Sequence, residues 1–237
     1  MAKKSTELSK QPEGIRLPIL RTHADIDASS HLTEEEKAMA KDNLTRVPPS
    51  DGWYMLENDP EMQALANIHE NGLIGLLDPD FQGIKGGPMN LVCLELARLT
   101  GCEWMASFLA KIGMTSPLSS DDWDPAQLAV LSFPDSKLWS ENQRLALKFI
   151  GACYNHAMTD ELFEQARKAW GEKRVLRFIF FIGYVNTWAM VENACNLTFT
   201  PVSSEAKVAA NETEKLGIDD VRKGLKALWN SKQKFIP

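Results

Sequence analysis

The sequence has no long hydrophobic run and no excess of positive charge, and these absences exclude several classes of protein. The longest uninterrupted apolar stretch runs from Phe178 to Val185, far shorter than the roughly twenty residues that a transmembrane helix requires. Acidic residues outnumber basic ones by 32 to 26, for a formal net charge of −6. Nucleic acids and anionic membranes are bound through basic surfaces, so we expect neither as a partner.

The first residues of the sequence and the spacing of its cysteines lead to two further expectations. The first residues, MAKKSTE, are polar where a signal peptide would carry an apolar segment, so we expect a cytoplasmic protein. The four cysteines, at positions 93, 102, 153 and 195, include no C-x-x-C pair, the spacing of thioredoxin-type redox sites and zinc knuckles. We therefore expect reduced, packed thiols and neither a metal nor a cofactor.

Helical patterns are abundant. Hydrophobic residues make up 44% of the chain, and no strand-like alternation stands out, which predicts an all-α protein of about eight helices. A capping box at Thr33 and Glu36 predicts a helix to about Val47. Further helices are predicted from Asn58, over Met89–Gly101, from Cys102, over Ser140–His156, over Thr159–Trp170 and over Lys173–Asn196, with short ones at 126–131 and 219–229.

The composition divides the chain into three parts. Residues 1–31 are polar, carry two prolines and show no helical period, so they are interpreted as an arm. Residues 32–200 hold the main helical domain, and residues 201–237 form a C-terminal arm with one short helix.

Three segments, in this order and spacing, resemble the carboxymuconolactone decarboxylase family. They are residues 58–65 (NDPEMQAL), residues 96–104 (LARLTGCEW) and the stretch from Ile182 through Tyr184 and Asn193 to Asn196. The resemblance covers about residues 50–200 and implies the AhpD-like helical bundle and a homodimer or higher homo-oligomer. It also implies decarboxylation, lactone processing or alkylhydroperoxidase chemistry.

The family's reactive residues are replaced in this chain. Aligned on Cys102, Met105 stands at the second cysteine of peroxidase-type members, Leu109 at their histidine and Asn90 at their relay glutamate. Decarboxylase-like members often carry glutamate at the Met105 position and histidine at the Leu109 position. Since a peroxidase needs a thiolate pair and a proton relay, the resemblance implies a non-redox member with a rebuilt site.

Two side chains are candidates for acid or base chemistry. His69 lies on a predicted apolar stripe and is interpreted either as a hydrogen-bonded core histidine or as a pocket acid or base; the stripe comprises Met62, Leu65, Leu73 and Leu76. Tyr184 shares a helix face with Arg177, Phe181 and Trp188. If that face lines a cavity, Arg177 could anchor a substrate carboxylate and Tyr184 could donate a proton; the alternative is a core stripe.

The helix after Cys102 is the family's reactive helix and is apolar here. Trp104, Met105, Phe108 and Leu109 are either core residues or the lining of a hydrophobic pocket. Cys102 itself is either a packed thiol or a thiol whose pKa is lowered at a helix start. Glu95, three residues before Arg98, is interpreted as half of a surface ion pair.

Two functions fit these patterns. The first is a lyase or isomerase (a decarboxylase, cyclase or isomerase) acting on an apolar acid or polyene of secondary-metabolite type. Its catalytic residues would be Tyr184 and His69, and its substrate-binding residues would be Asn90, Cys102, Trp104, Met105, Phe108, Leu109, Arg177 and Trp188. The second is a non-catalytic relative that binds a small molecule or a partner helix.

Overall fold

The computed structural model describes residues 8–47, 50–76, 87–106 and 130–198, and these are helical with no strand among them, which confirms the all-α class. The bounded helices are α1 (His23–Ala28), α2 (Glu34–Asn43), α3 (Asp51–Leu56), α4 (Pro60–Leu76), α5 (Gly87–Thr100), α6 (Glu141–Tyr154), α7 (Asp160–Trp170) and α8 (Glu172–Ala194). Residues 103–106 form a further helical segment after Cys102. The AhpD-like arrangement of these helices stays a prediction.

The chain divides into two compact units. The first joins Met1–Gly75 to Cys195–Pro237, and the second is Leu76–Ala194. The three-part division at residues 31 and 200 is a different partition and stays a prediction. The short helix predicted at 219–229, and most of the one at 126–131, lie outside the described residues.

The first unit contains a helix that the sequence pattern did not predict. Helix α1 begins at a capping box in which the Thr22 hydroxyl accepts from the Asp25 backbone and the Asp25 carboxylate accepts from the Thr22 N–H at 2.8 Å. The same buried carboxylate accepts from the backbone and the hydroxyl of Ser9, each at 2.7 Å. Burial would raise the pKa of Asp25, but these hydrogen bonds outweigh it and hold the pKa below its ordinary value.

Residues near both ends of the first unit are joined by hydrogen bonds. The Arg16 N–H donates to the Cys195 carbonyl at 3.0 Å, and the Asn196 side-chain amide donates to the Gly14 carbonyl at 2.8 Å. Gly14 has φ +75°, and a Cβ there would lie 3.0 Å from that amide nitrogen. The N-terminal segment is therefore tied to residues that follow α8 in the chain.

The core of the second unit is aromatic. The ring of Phe178 on α8 lies 5.9 Å from Phe149 on α6 and 5.4 Å from Trp170 at the end of α7. All three side chains are buried. Helix α7 begins at the predicted cap, Thr159, and ends at Gly171, whose φ of +80° favours glycine. Helix α8 thus packs against its neighbours along one side.

By length and composition, α8 is the one helix of the described residues that could cross a membrane. Polar and charged residues interrupt this helix, so its sequence contains no continuous apolar run long enough to cross a membrane. About 44% of its most apolar window is buried inside the protein. Since the core helix of a water-soluble protein meets the same criterion, this finding is weak evidence for a membrane span.

Candidate functional site

A tight turn between α5 and the next helical segment positions Cys102. Gly101 adopts φ +66°, a conformation that favours glycine, and the Cys102 N–H donates to the Ala97 carbonyl at 3.0 Å. The Asn193 side chain, on α8, donates to the Thr100 carbonyl at 3.1 Å. Backbone N–H groups of the segment 103–106 hydrogen-bond to the Cys102 sulfur. The thiol therefore occupies a helix N-terminus that α8 helps to hold in place.

The partner of this thiol is a buried carboxyl group on α8. The Sγ of Cys102 donates to Oε2 of Glu192 at 3.0 Å, and the two residues are only 1% and 2% exposed. Burial raises the pKa of Glu192 to about 8, although the hydrogen bond from the thiol partly opposes this. At neutral pH the Glu192 carboxyl is therefore mostly protonated in an apolar surrounding.

The pKa of Cys102 moves in the direction opposite to that expected at a helix start. Burial raises it first, and the charge of Glu192 and the hydrogen bond to it raise it further, to about 12; the backbone N–H groups only partly oppose this. Cys102 is accordingly a protonated hydrogen-bond donor rather than an activated thiolate, and the packed-thiol interpretation fits the structure.

We expect Cys102 to react with iodoacetamide at least about 100-fold more slowly than a free cysteine at pH 7.5, because the thiolate is the reacting form. Peptide mass spectrometry after timed alkylation of the folded protein measures this rate. Cys195 provides the internal reference, since it is partly exposed, whereas burial raises the pKa of Cys153 to about 11. Labelling of Cys102 as fast as Cys195 would contradict a buried, protonated thiol.

Glu192 was not among the residues predicted from the sequence, although a signal for it exists. The predicted face of α8 runs through Arg177, Phe181, Tyr184 and Trp188, and one further step of four residues reaches Glu192. A carboxylate on an apolar helix face is a recognised mark of a functional site. The spacing thus predicts the helix face, and Glu192 is the next position on that face.

The structure places several other predicted residues on the same elements. Tyr184 is buried and its ring meets Trp188 edge-on at a centroid distance of 6.4 Å. Trp104 and Met105 are buried directly after Cys102. Arg177 donates from Nη1 to the Leu76 carbonyl at 2.8 Å. Asn90 lies in the first turn of α5, and positions 108 and 109, predicted as pocket residues Phe108 and Leu109, lie outside the described residues.

The structure corrects the prediction for the α4 stripe. Met62 and Leu65 are 50% and 47% exposed, and His69 is exposed as well, whereas Gln63 is buried. In the first half of the helix Gln63 therefore faces inward instead of the apolar stripe, whereas Leu73 and Leu76, at its other end, are partly buried. His69 is not a core histidine, and it belongs to the first compact unit whereas Tyr184 belongs to the second.

Two more carboxylates are buried. Glu95 forms the predicted pair with Arg98 at 2.6 Å, but its residue is only 4% exposed, so the prediction of a surface pair is wrong. Glu57 is fully buried, receives one hydrogen bond of 3.4 Å from Asn43, and has no partner at Oε1. Burial raises the pKa of Glu57 to about 8.

Other chemistry is sparse in the part of the chain that the structure describes. No group of three or more His, Cys, Asp or Glu side chains there could hold a metal ion. A shallow surface depression on α7 is lined by Asp160, Glu161, Glu164, Gln165 and Lys168. None of these residues was predicted for the site.

The chain was compared with protein-family models, with curated proteins and with solved structures, and nothing matches it. The resemblance to the carboxymuconolactone decarboxylase family therefore rests on the three quoted segments and stays a prediction.

Proposed function

We propose that the chain is a non-redox enzyme of the carboxymuconolactone decarboxylase type, and that Glu192 is its proton donor, held in place by Cys102. The observation that carries the proposal is the 3.0 Å thiol–carboxyl hydrogen bond between two almost fully buried residues. Burying an ionisable group costs stability, and such groups concentrate at functional sites. A carboxyl with a pKa of about 8 suits general acid catalysis near neutral pH.

The proposed chemistry needs only positioning and one proton. In a decarboxylation, the bond between the substrate carboxylate and its α-carbon breaks, carbon dioxide leaves, and the electron pair remains on that carbon. Glu192 then protonates the carbon and recovers its proton from water. A cyclase or isomerase would use the same group to protonate a polyene. Because the pKa of Cys102 is about 12, its thiol orients the carboxyl and keeps its own proton.

The surroundings of the pair support the proposed substrate class. Trp104 and Met105 follow Cys102 within three residues and Trp188 lies one helical turn before Glu192, so the surroundings favour an apolar acid or polyene of secondary-metabolite type. Arg177 lies fifteen residues before Glu192, about 22 Å along the helix. A substrate held by Arg177 could therefore react at Glu192 only if it were long, and Tyr184, two turns away, remains the second proton-donor candidate.

The test compares small-molecule extract of the source cells incubated with purified protein or with boiled protein, read by mass spectrometry. Loss of the mass of carbon dioxide identifies a decarboxylase, and a product of equal mass identifies a cyclase or isomerase. We expect Glu192→Gln to reduce turnover about 100-fold or more. His69→Gln should have little effect, since the His69 side chain is exposed, and Tyr184→Phe tests the second candidate.

The pH profile separates the donor from its positioning residue. Turnover should fall as pH rises through about 8, because Glu192 loses its proton. The residual activity of Glu192→Gln should not show this decrease at alkaline pH. Cys102→Ser keeps a hydrogen-bond donor and should retain most activity. Cys102→Ala should lower kcat and shift the pH at which turnover decreases. Turnover of Glu192→Gln equal to that of the wild type would contradict the assignment of Glu192 as the proton donor.

The alternative function is a non-catalytic relative that binds a small molecule or a partner helix. The observation that favours it is the near-complete burial of Cys102 and Glu192, since a closed hydrogen-bonded pair is also a structural device. In that case a ligand should raise the melting temperature with no product formed. Any turnover of that ligand would exclude this alternative.

The remaining proposals concern partners and location. We propose a cytoplasmic protein with a small-molecule substrate, no nucleic-acid or membrane partner, and homodimeric or higher assembly. The negative net charge supports the absence of a nucleic-acid or membrane partner. The family resemblance supports the last.

A further inference from the structure

Helix α8 presents an exposed apolar face on the side away from the aromatic core. Leu176, Phe180 and Met190 are 58%, 60% and 61% exposed. At 100° per residue these side chains share one face with Gly183 and Thr187, within about 80° around the helix. We call these five residues the α8 stripe; it is about 21 Å long.

The polar groups of this face are already satisfied or absent. Between Leu176 and Met190 the only charged residue is Arg177, which donates to the Leu76 carbonyl. The Thr187 hydroxyl donates to the Gly183 carbonyl at 3.0 Å. The stripe therefore presents an apolar, uncharged surface to a partner, although 24% of the residues in the chain are charged.

Gly183 at the centre of the stripe has no role in the packing that the structure describes. Glycine inside a helix is less stable than alanine, and a Cβ at Gly183 would meet no atom within 4 Å. A missing side chain at an open position allows a second helix axis to approach closely.

The stripe is also self-complementary. Leu176 and Met190 each lie seven residues from Gly183, so an antiparallel copy crossing at Gly183 sets each leucine against the other copy's methionine. The exposed Lys173 then approaches the C-terminal end of the other helix, where the macrodipole is negative. A two-fold interface requires this kind of match, in which one patch fits itself.

We propose that the α8 stripe is the centre of a two-fold interface between two copies of this chain, with antiparallel α8 helices crossing at Gly183. The three large side chains are about 60% exposed, and at roughly 200 Å² each the pair would bury about 700 Å². Since specific interfaces below about 1,200 Å² are weak, the dimer should form in the micromolar range. A membrane is the less suitable occupant, because the opposite side of α8 holds the buried Glu192.

Sedimentation velocity of the full chain from about 2 to about 200 µM tests the dimer. The wild type should shift from monomer to dimer, and Phe180→Glu should remain monomeric over the whole range. Met62→Glu is the matched control, because Met62 is 50% exposed on α4, and it should dimerise like the wild type. Circular dichroism confirms that each variant keeps its helical content.

Cysteine cross-linking tests the geometry. Gly183→Cys should form a disulfide with its own copy under mild oxidation, whereas Leu176→Cys and Met190→Cys should cross-link only when mixed with each other. The wild type, with its native cysteines, gives the background on a non-reducing gel.

Three results would overturn the proposal. They are a wild type that stays monomeric at the highest concentration, dimerisation that survives Phe180→Glu, and binding of the wild type to neutral vesicles that Phe180→Glu abolishes. If the wild type stays monomeric and the melting temperature falls in Phe180→Glu, the chain itself covers the stripe.

Discussion

Replacing Phe178 by alanine is expected to lower the free energy of unfolding by about 3–5 kcal/mol, the range for deleting a fully buried aromatic ring. Phe178 is 0% exposed and contacts two aromatic rings, one from α6 and one from α7. Its removal would leave a cavity at the point where three helices meet. Two neighbouring rings cannot fill such a cavity without leaving their own contacts.

The matched control is Phe180→Ala on the same helix. Phe180 is 60% exposed, so its replacement should change stability by no more than about 0.5 kcal/mol. Urea denaturation at low micromolar concentration, where the proposed dimer is dissociated, measures both variants. Equal losses in the two variants would show that the aromatic core is not formed as described.

Glu57→Gln is expected to stabilise the protein at pH 8 and to leave it nearly unchanged below pH 4.5. The pKa of Glu57 rises from 4.5 to about 8 on folding because the side chain is buried. The favourable contribution of the protonated form is therefore complete below pH 4.5 and is lost as the pH rises toward 8. Glutamine keeps the shape of the neutral acid and has no proton to lose.

The difference in unfolding free energy between Glu57→Gln and the wild type should grow by about 1.4 kcal/mol per pH unit across this window. Denaturation at half-unit steps from pH 4 to pH 9 measures the slope. Glu36→Gln is the control, because the Glu36 carboxylate accepts from the Thr33 N–H at the exposed start of α2 and its pKa is lowered. A difference that does not vary with pH would mean that Glu57 ionises as it does in the unfolded chain.

Local signals in the sequence predicted the helix starts well. The capping boxes at Thr33 and Ser140 are present as hydrogen-bonded pairs, and the Thr159 cap accepts from the Leu162 N–H. Each of these interactions lies within one helical turn, so the residue types alone are enough to predict it. The long C-terminal helix, predicted over Lys173–Asn196, was confirmed as α8.

Interactions between distant residues could not be predicted in this way. Cys102 and Glu192 are 90 positions apart, and Ser9 meets Asp25 across 16 residues. A periodic pattern identifies an apolar face but does not determine whether that face is covered, which is why the exposure of Met62 and Leu65 could not be predicted. Glu192 was missed for the same reason, because its raised pKa depends on burial that only the packed helices create.

The hydrogen bonds that join Gly14 and Arg16 to Asn196 and Cys195 affect how the chain folds during synthesis. The first compact unit is discontinuous, because its N-terminal part must wait for residues that the ribosome releases only after the whole of Leu76–Ala194 has been made. At about 5–20 residues per second, that interval is on the order of ten seconds. The second unit, continuous in sequence, can fold first, and the N-terminal segment completes its bonds afterwards.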